Sequence, residues 1–179
     1  MNFLEKNLED IIYENALTEE GRRKLKERGL PIKGMVFRQL YLGNYGRLDL
    51  LTIHNESYAN YPDALIFDVY ELKQGIINIE TLLQAGRYVK GIKRIIATNG
   101  YDLHSRDSVF RIHLIGSEVD LNGDFALFFD CLCNVNLYTY SYNIDGIYFK
   151  RQYGYHRTNE LLPDIKISYS DAKKFFTEI

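Results

Sequence analysis

The chain is short of cysteine, of long apolar runs and of any excess of positive charge, and each shortage removes a class of protein. Cys131 and Cys133 are its two cysteines, and they flank a single leucine. That spacing suits neither a structural disulfide nor a four-ligand zinc site, since no second cysteine pair exists. Both read as small buried apolar residues in a reducing compartment, and a cytoplasmic location is expected. No apolar run approaches the roughly 20 residues needed to span a bilayer, so no membrane partner is expected. The opening Met1-Asn2-Phe3-Leu4-Glu5 turns charged at once, which is not a secretory signal. A net charge of −2 does not by itself favour nucleic acid. There is no P-loop, no G-x-G-x-x-G and no G-x-S-x-G. His54, His104, His113 and His156 include no pair at metal-ligand spacing, and His113 reads as a satisfied core residue.

What remains is the composition of a soluble globular protein, 46% hydrophobic and 26% charged over 179 residues, enough for one domain with a sizeable core. Leu4, Leu8, Ile11 and Ile12 recur at helical spacing and predict an amphipathic helix over 2–15. Thr18 reads as the N-cap of a second helix, with Glu19 and Glu20 in its first turn and Gly29 as its stop. Met35 to Leu42 is β-like, Gly43-Asn44-Tyr45-Gly46 a hairpin turn, and Arg47 to Ile53 a second strand. Residues 54–63 read as a polar loop. Ala64 to Leu72 is a near-continuous apolar run, as in a central strand buried on both faces. A helix capped by Asn78 follows over 79–92, then strands over 110–115, 135–142 and 147–153. Short helices are expected over 126–132 and 170–176. The order calls for one α/β domain over 1–179, a mixed central sheet flanked by helices.

Charge and aromatic residues are unevenly spread. Arg22, Arg23, Lys24, Lys26, Arg28 and Lys33 stand against one acid, Glu27, and a second basic group holds Arg87, Lys90, Lys93 and Arg94. Such runs are either solvated helix faces or phosphate contacts. Tyr138, Tyr140 and Tyr142 alternate at period two, with Tyr148, Tyr153 and Tyr155 nearby. Packing or a homodimer interface is favoured for them over stacking on unpaired bases.

The chemistry concentrates earlier. Asp49 lies in Gly46-Arg47-Leu48-Asp49-Leu50-Leu51, and Glu71 and Lys73 close the apolar run, sharing one strand face. Two carboxylates and an ammonium at neighbouring strand ends suit a hard divalent cation. One helix later come Gln84 and Tyr88, four apart on one face, with Arg87 beside them.

Taken together, Asp49, Glu71-Leu72-Lys73 and Gln84-Ala85-Gly86-Arg87-Tyr88 resemble the PD-(D/E)XK nuclease superfamily, in particular its RecB-type members with a Q-x-x-x-Y motif. Leu48 stands where the signature proline would be. The resemblance covers about residues 3–115, and 116–179 add strands and a helix without a motif. It implies a restriction-endonuclease-like core and a phosphodiester hydrolase acting on DNA rather than RNA, in a defence, phage or repair setting. It implies Asp49, Glu71 and the Leu72 carbonyl as ligands of Mg²⁺ or Mn²⁺. Glu9, which resembles the helix-one glutamate of many members, is either a further ligand or an exposed acid. Lys73 would orient or deprotonate water or steady developing charge, and Gln84 and Tyr88 would bond around the site. Arg22, Arg23, Lys24, Arg47, Arg87 and Lys90 would meet nucleic acid. The competing expectation is a catalytically inactive relative that binds nucleic acid or supports assembly.

Overall fold

Residues 5–58, 61–100, 108–120, 125, 129 and 132–152 are described by the computed structural model. In α1 (Glu5–Ala16), Leu8, Ile12 and Ala16 recur every fourth residue and form the buried stripe. The Thr18 hydroxyl accepts from the Gly21 amide at 3.0 Å and starts α2 (Glu19–Glu27). Gly29, at φ 95°, turns the chain away after it. β1 (Met35–Tyr41), β2 (Arg47–Tyr58) and β3 (Tyr61–Leu72) then form an antiparallel meander. A crossover through α3 (Ile79–Thr98) leads to β5 (Ser108–Gly116), parallel to β3. β7 (Val135–Asn143) adds parallel to β5, and β8 (Gly146–Gln152) closes antiparallel. The resulting mixed sheet has the order β1-β2-β3-β5-β7-β8, while the two-residue strands β4 (Ile76–Ile77) and β6 (Glu118–Val119) pair separately.

The two faces of β3 explain the layers. Tyr70 and Leu72 point to one side and pack with Leu8, Ile12 and Leu25 of α1 and α2. Phe67 and Val69 point to the other and pack with Tyr88 and Ile92 of α3. Phe125 and Phe129 extend that second layer over Leu114 and Leu137. The α/β class, with helices flanking a mixed sheet, is thus as expected, and no described helix is long and apolar enough to cross a membrane.

Several boundaries differ from the sequence reading. The polar loop expected over 54–63 is instead strand: β2 runs on to Tyr58 and β3 begins at Tyr61. Its polar side chains find ionic partners across the sheet, so polarity does not break the ladder. Asn78 does cap α3, in a reciprocal box with Thr81, but the helix continues to Thr98. Cys133 is exposed rather than buried, at the turn preceding β7. Tyr138 and Tyr140 pack toward α1, as packing would have it, whereas Tyr142 is 59% exposed. The helix expected over 170–176, most of that over 126–132, and Cys131, Tyr153, Tyr155, His104 and His156 lie outside the described residues.

The polar part of β2 belongs to an ion network centred on Asp68 of β3. Asp68 accepts from Arg111 Nε at 2.6 Å and Nη2 at 3.1 Å, lies 3.0 Å from His113 Nε2, and accepts from the Thr52 hydroxyl at 3.4 Å. Arg111 also reaches Glu56 at 3.3 Å, and Lys33 holds the other Glu56 oxygen at 2.7 Å. Burial alone would raise the Asp68 pKa, but His113 and Arg111 together hold it far below the ordinary carboxylate range. Asp68→Ala should therefore leave Arg111 half-buried without its main acceptor and destabilise the protein by about 3 kcal/mol. Equilibrium denaturant unfolding checks this, and a loss under about 1 kcal/mol would mean that the network contributes little.

Candidate active site

The site is built where β2 begins and β3 ends, beside the first half of α3. Asp49, near the start of β2, accepts the Leu72 amide at 2.9 Å, which ties it to the end of β3. Glu71, one residue earlier and 1% exposed, meets Lys73 Nζ through Oε1 at 2.8 Å. Its second oxygen, Oε2, is buried and has no hydrogen-bond partner. Lys73 continues to Gln84 Oε1 at 3.4 Å, and Gln84 Nε2 donates to the Tyr88 hydroxyl at 2.6 Å. Asp49, Glu71, Lys73, Gln84 and Tyr88 are therefore brought together, through a bonded chain that runs from β3 onto α3.

Local sequence explains how α3 comes so close. Gly46 adopts φ 100°, and a Cβ there would stand 3.2 Å from the Tyr88 ring. One turn on, Gly91 faces Tyr45 so closely that a Cβ would lie 2.9 Å from its side chain. The two glycines let helix and hairpin touch at the height of Asp49.

Electrostatics mark the carboxylates as under-compensated. Burial lifts the Asp49 pKa to about 6, with the Leu72 N–H opposing and the charges of Glu5 and Glu9 adding to the rise. Burial and the charge of Asp49 lift Glu71 to about 7, against the pull of Lys73. Burial works against the Lys73 ammonium, yet its hydrogen bond to Glu71 and the surrounding acids outweigh this and raise its pKa. A protonated lysine donates and stabilises negative charge. It is not a ready base.

Glu9 lies beside this group on α1, 7% exposed. Both of its oxygens are engaged by protein donors: Oε1 by Arg38, and Oε2 by Gln39 Nε2 at 2.7 Å. Arg38 also bonds Asp10. Glu5, one turn before Glu9, was not singled out from sequence. It accepts the Gln74 amide at 3.3 Å, and its charge acts on Asp49, Glu71, Lys73 and Tyr140. The i, i+4 relation to Glu9 was the available signal. Among the described residues no three His, Cys, Asp or Glu side chains are grouped as a metal cluster.

The basic residues fall in two places. Arg47, Arg87 and Lys90 are exposed on β2 and α3, near Asp49 and Gln84 in sequence. Three of those on α2 are engaged within the α1–α2 pair: Arg22 Nε donates to Ala16 O at 2.6 Å, Arg23 pairs with Glu27 and Lys24 with Glu20. The chain matches no family model, no curated protein and no solved structure.

Raised carboxylate pKa values make the metal-free protein lose stability as pH rises. Their contribution is fully present below the ordinary values of 3.8 and 4.5 and is lost as pH passes about 6 for Asp49 and about 7 for Glu71. Glu71→Gln, which keeps the shape of the protonated acid, should match wild type near pH 4.5 in EDTA. By pH 8 it should be more stable by on the order of 2 kcal/mol. Thermal unfolding of both proteins across that range checks the sign, and a constant difference would contradict it.

Proposed function

We propose that this protein is a metal-dependent nuclease of the PD-(D/E)XK type, with a restriction-endonuclease-like core, hydrolysing phosphodiester bonds in DNA in preference to RNA. The observation that carries the reading is the buried, unpartnered Glu71 Oε2 beside a second carboxylate, with Lys73 bonded to its other oxygen. Two neighbouring carboxylates whose pKa values are both raised would gain from a cation shared between them. The donors are oxygens, which suits Mg²⁺ or Mn²⁺, and such ions are commonly held by one or two carboxylates with water and substrate phosphate completing the shell. The mixed sheet flanked by helices is compatible with the coarse α/β class that the resemblance implies.

Asp49 and Glu71 are the residues that would hold the ion, with the Leu72 carbonyl as a backbone candidate. A bound ion would polarise the scissile phosphate and acidify an attacking water. Lys73, kept protonated by its acidic neighbours, donates toward charge developing on the phosphate oxygens. Gln84 fixes Lys73 from the α3 side and is itself set by Tyr88. Arg87, Lys90 and Arg47 are exposed around this end and suit contacts to the nucleic-acid backbone. The Leu72 amide holds Asp49 in place, so that the carboxylates do not need to be organised during the reaction.

A second reading has its own support. Glu71 and Lys73 already form a close ion pair, and such a pair can be a structural feature of a catalytically inactive protein that only binds nucleic acid or supports an assembly. Cleavage of labelled single-stranded and duplex DNA with Mg²⁺ or Mn²⁺ separates the two. Wild type is expected to cut, Glu71→Ala to be inactive, and Lys73→Ala to lose on the order of 10²–10³ in rate. DNA that is retained on a gel but never cut would favour the binding module. Equal cutting by Glu71→Ala would remove this site from the chemistry.

A further inference from the structure

Gln39 is the one non-glycine among the described residues with a left-handed backbone, at φ 50°. It lies in the middle of β1, where side chains ordinarily make such a conformation costly. Elsewhere in the same hairpin the chain places glycine where φ is positive, at Gly43 and Gly46. A glutamine here sits against that backbone preference, which directs attention to its side chain.

The ladder shows what the conformation does. Arg38 pairs with Leu50 and Leu40 with Leu48, so Gln39 stands opposite Asp49, and the register is the same on both sides. The facing of the side chains is not. Phe37 and Leu51 pack toward α3, Arg38 and Leu50 toward α1, and Leu40 and Leu48 toward α3 again. Regular alternation would have put Leu40 and Leu48 on the α1 side. The hairpin thus rolls over at the Gln39–Asp49 step, and two consecutive residues, Arg38 and Gln39, both address Glu9. Arg38 supplies the charge, lies over the Tyr13 ring at 5.2 Å and also bonds Asp10. Gln39 supplies a neutral amide at 2.7 Å from Glu9 Oε2. Glu9 is buried, and its charge acts on Asp49.

We propose that Gln39 is a positioning residue of the metal site: its left-handed backbone and its amide lock the Glu9 carboxylate in a fixed place beside Asp49. The inference rests on the metal-dependent reading above and extends it to a residue outside its motif. Glu9 held by Arg38 and Gln39 sets a fixed negative charge near Asp49 before any cation arrives. Loss of groups that orient a metal site from outside its ligands commonly costs about 10–100-fold in metal affinity.

Gln39→Gly separates the side chain from the backbone, because glycine adopts φ 50° without strain. In EDTA the variant is expected to unfold at the same temperature as wild type or higher. In a Mn²⁺ titration followed by thermal shift, the half-maximal Mn²⁺ concentration is expected to rise about 10-fold or more. Gln39→Asn, which tolerates the left-handed region but is one methylene short of Glu9, should show the same weakening. It carries the comparison if the glycine variant does not fold. A Mn²⁺ response equal to or tighter than wild type in these variants overturns the inference alone. A wild-type protein that shows no Mn²⁺ response overturns the metal reading, and the inference with it.

Discussion

The structure depends on burying a carboxylate at the end of its central strand. β3 is covered by α1 and α2 on one face and by α3 on the other, so any charge it carries must be compensated within the protein. Glu71 has one cation, Lys73, and Lys73 is itself only partly buried. The surroundings follow from this demand. Leu72 gives its amide to Asp49, Gln84 supports the lysine, and Tyr88 supports Gln84. The acids of α1 work in the opposite direction, raising the pKa of the pair, and Arg38 and Gln39 restrain one of them.

Close approach of backbone makes that arrangement possible. Tyr88 can lie against the β1–β2 hairpin because Gly46 has no Cβ, and Tyr45 can lie against α3 because Gly91 has none. Leu48, Leu51, Val69 and Ile92 then close an apolar cluster behind the polar chain. Dispersion and burial in that cluster hold the polar residues at fixed separations. A short polar chain on a rigid support would suit the proposed phosphodiester hydrolysis, since catalysis of phosphoryl transfer is mostly positioning and electrostatics.

Much of this was legible from local pattern. The buried stripe of α1, the Thr18 and Asn78 caps and the apolar run of β3 each depend on residues a few positions apart, where periodicity and capping rules apply. Asp49, Glu71 and Lys73 stood at strand ends, and Gln84 and Tyr88, four apart on one helix face, joined them through the motif resemblance. What could not be read depended on distant partners. His54 and Glu56 looked like loop residues because Arg111, which stabilises them in a strand, lies over fifty positions away. Glu9 stayed open between a ligand and an exposed acid because nothing nearby announces that Arg38 and Gln39 will cover it. The left-handed Gln39 violates the residue preference that a sequence reading relies on, and no local signal marks it.

Asp68 and Glu71 show how one strand can carry two carboxylates with opposite fates. They are three residues apart on β3, face opposite sides, and are both buried. Asp68 gains a guanidinium, an imidazole and a hydroxyl, and its pKa falls far below the ordinary range. Glu71 gains a single ammonium, keeps an unpaired oxygen, faces Asp49, and its pKa rises to about 7. Burial is common to both, so it cannot be what separates them. The number and sign of the neighbours decides. A carboxylate whose acceptors are filled has little to offer a ligand, and a cation would have to displace Arg111 to reach it. Glu71 and Asp49 would instead gain from a cation, because it relieves their mutual repulsion and fills an empty acceptor. On this physical ground the Asp68 network is structural, and the Asp49–Glu71 pair is the place to look for chemistry.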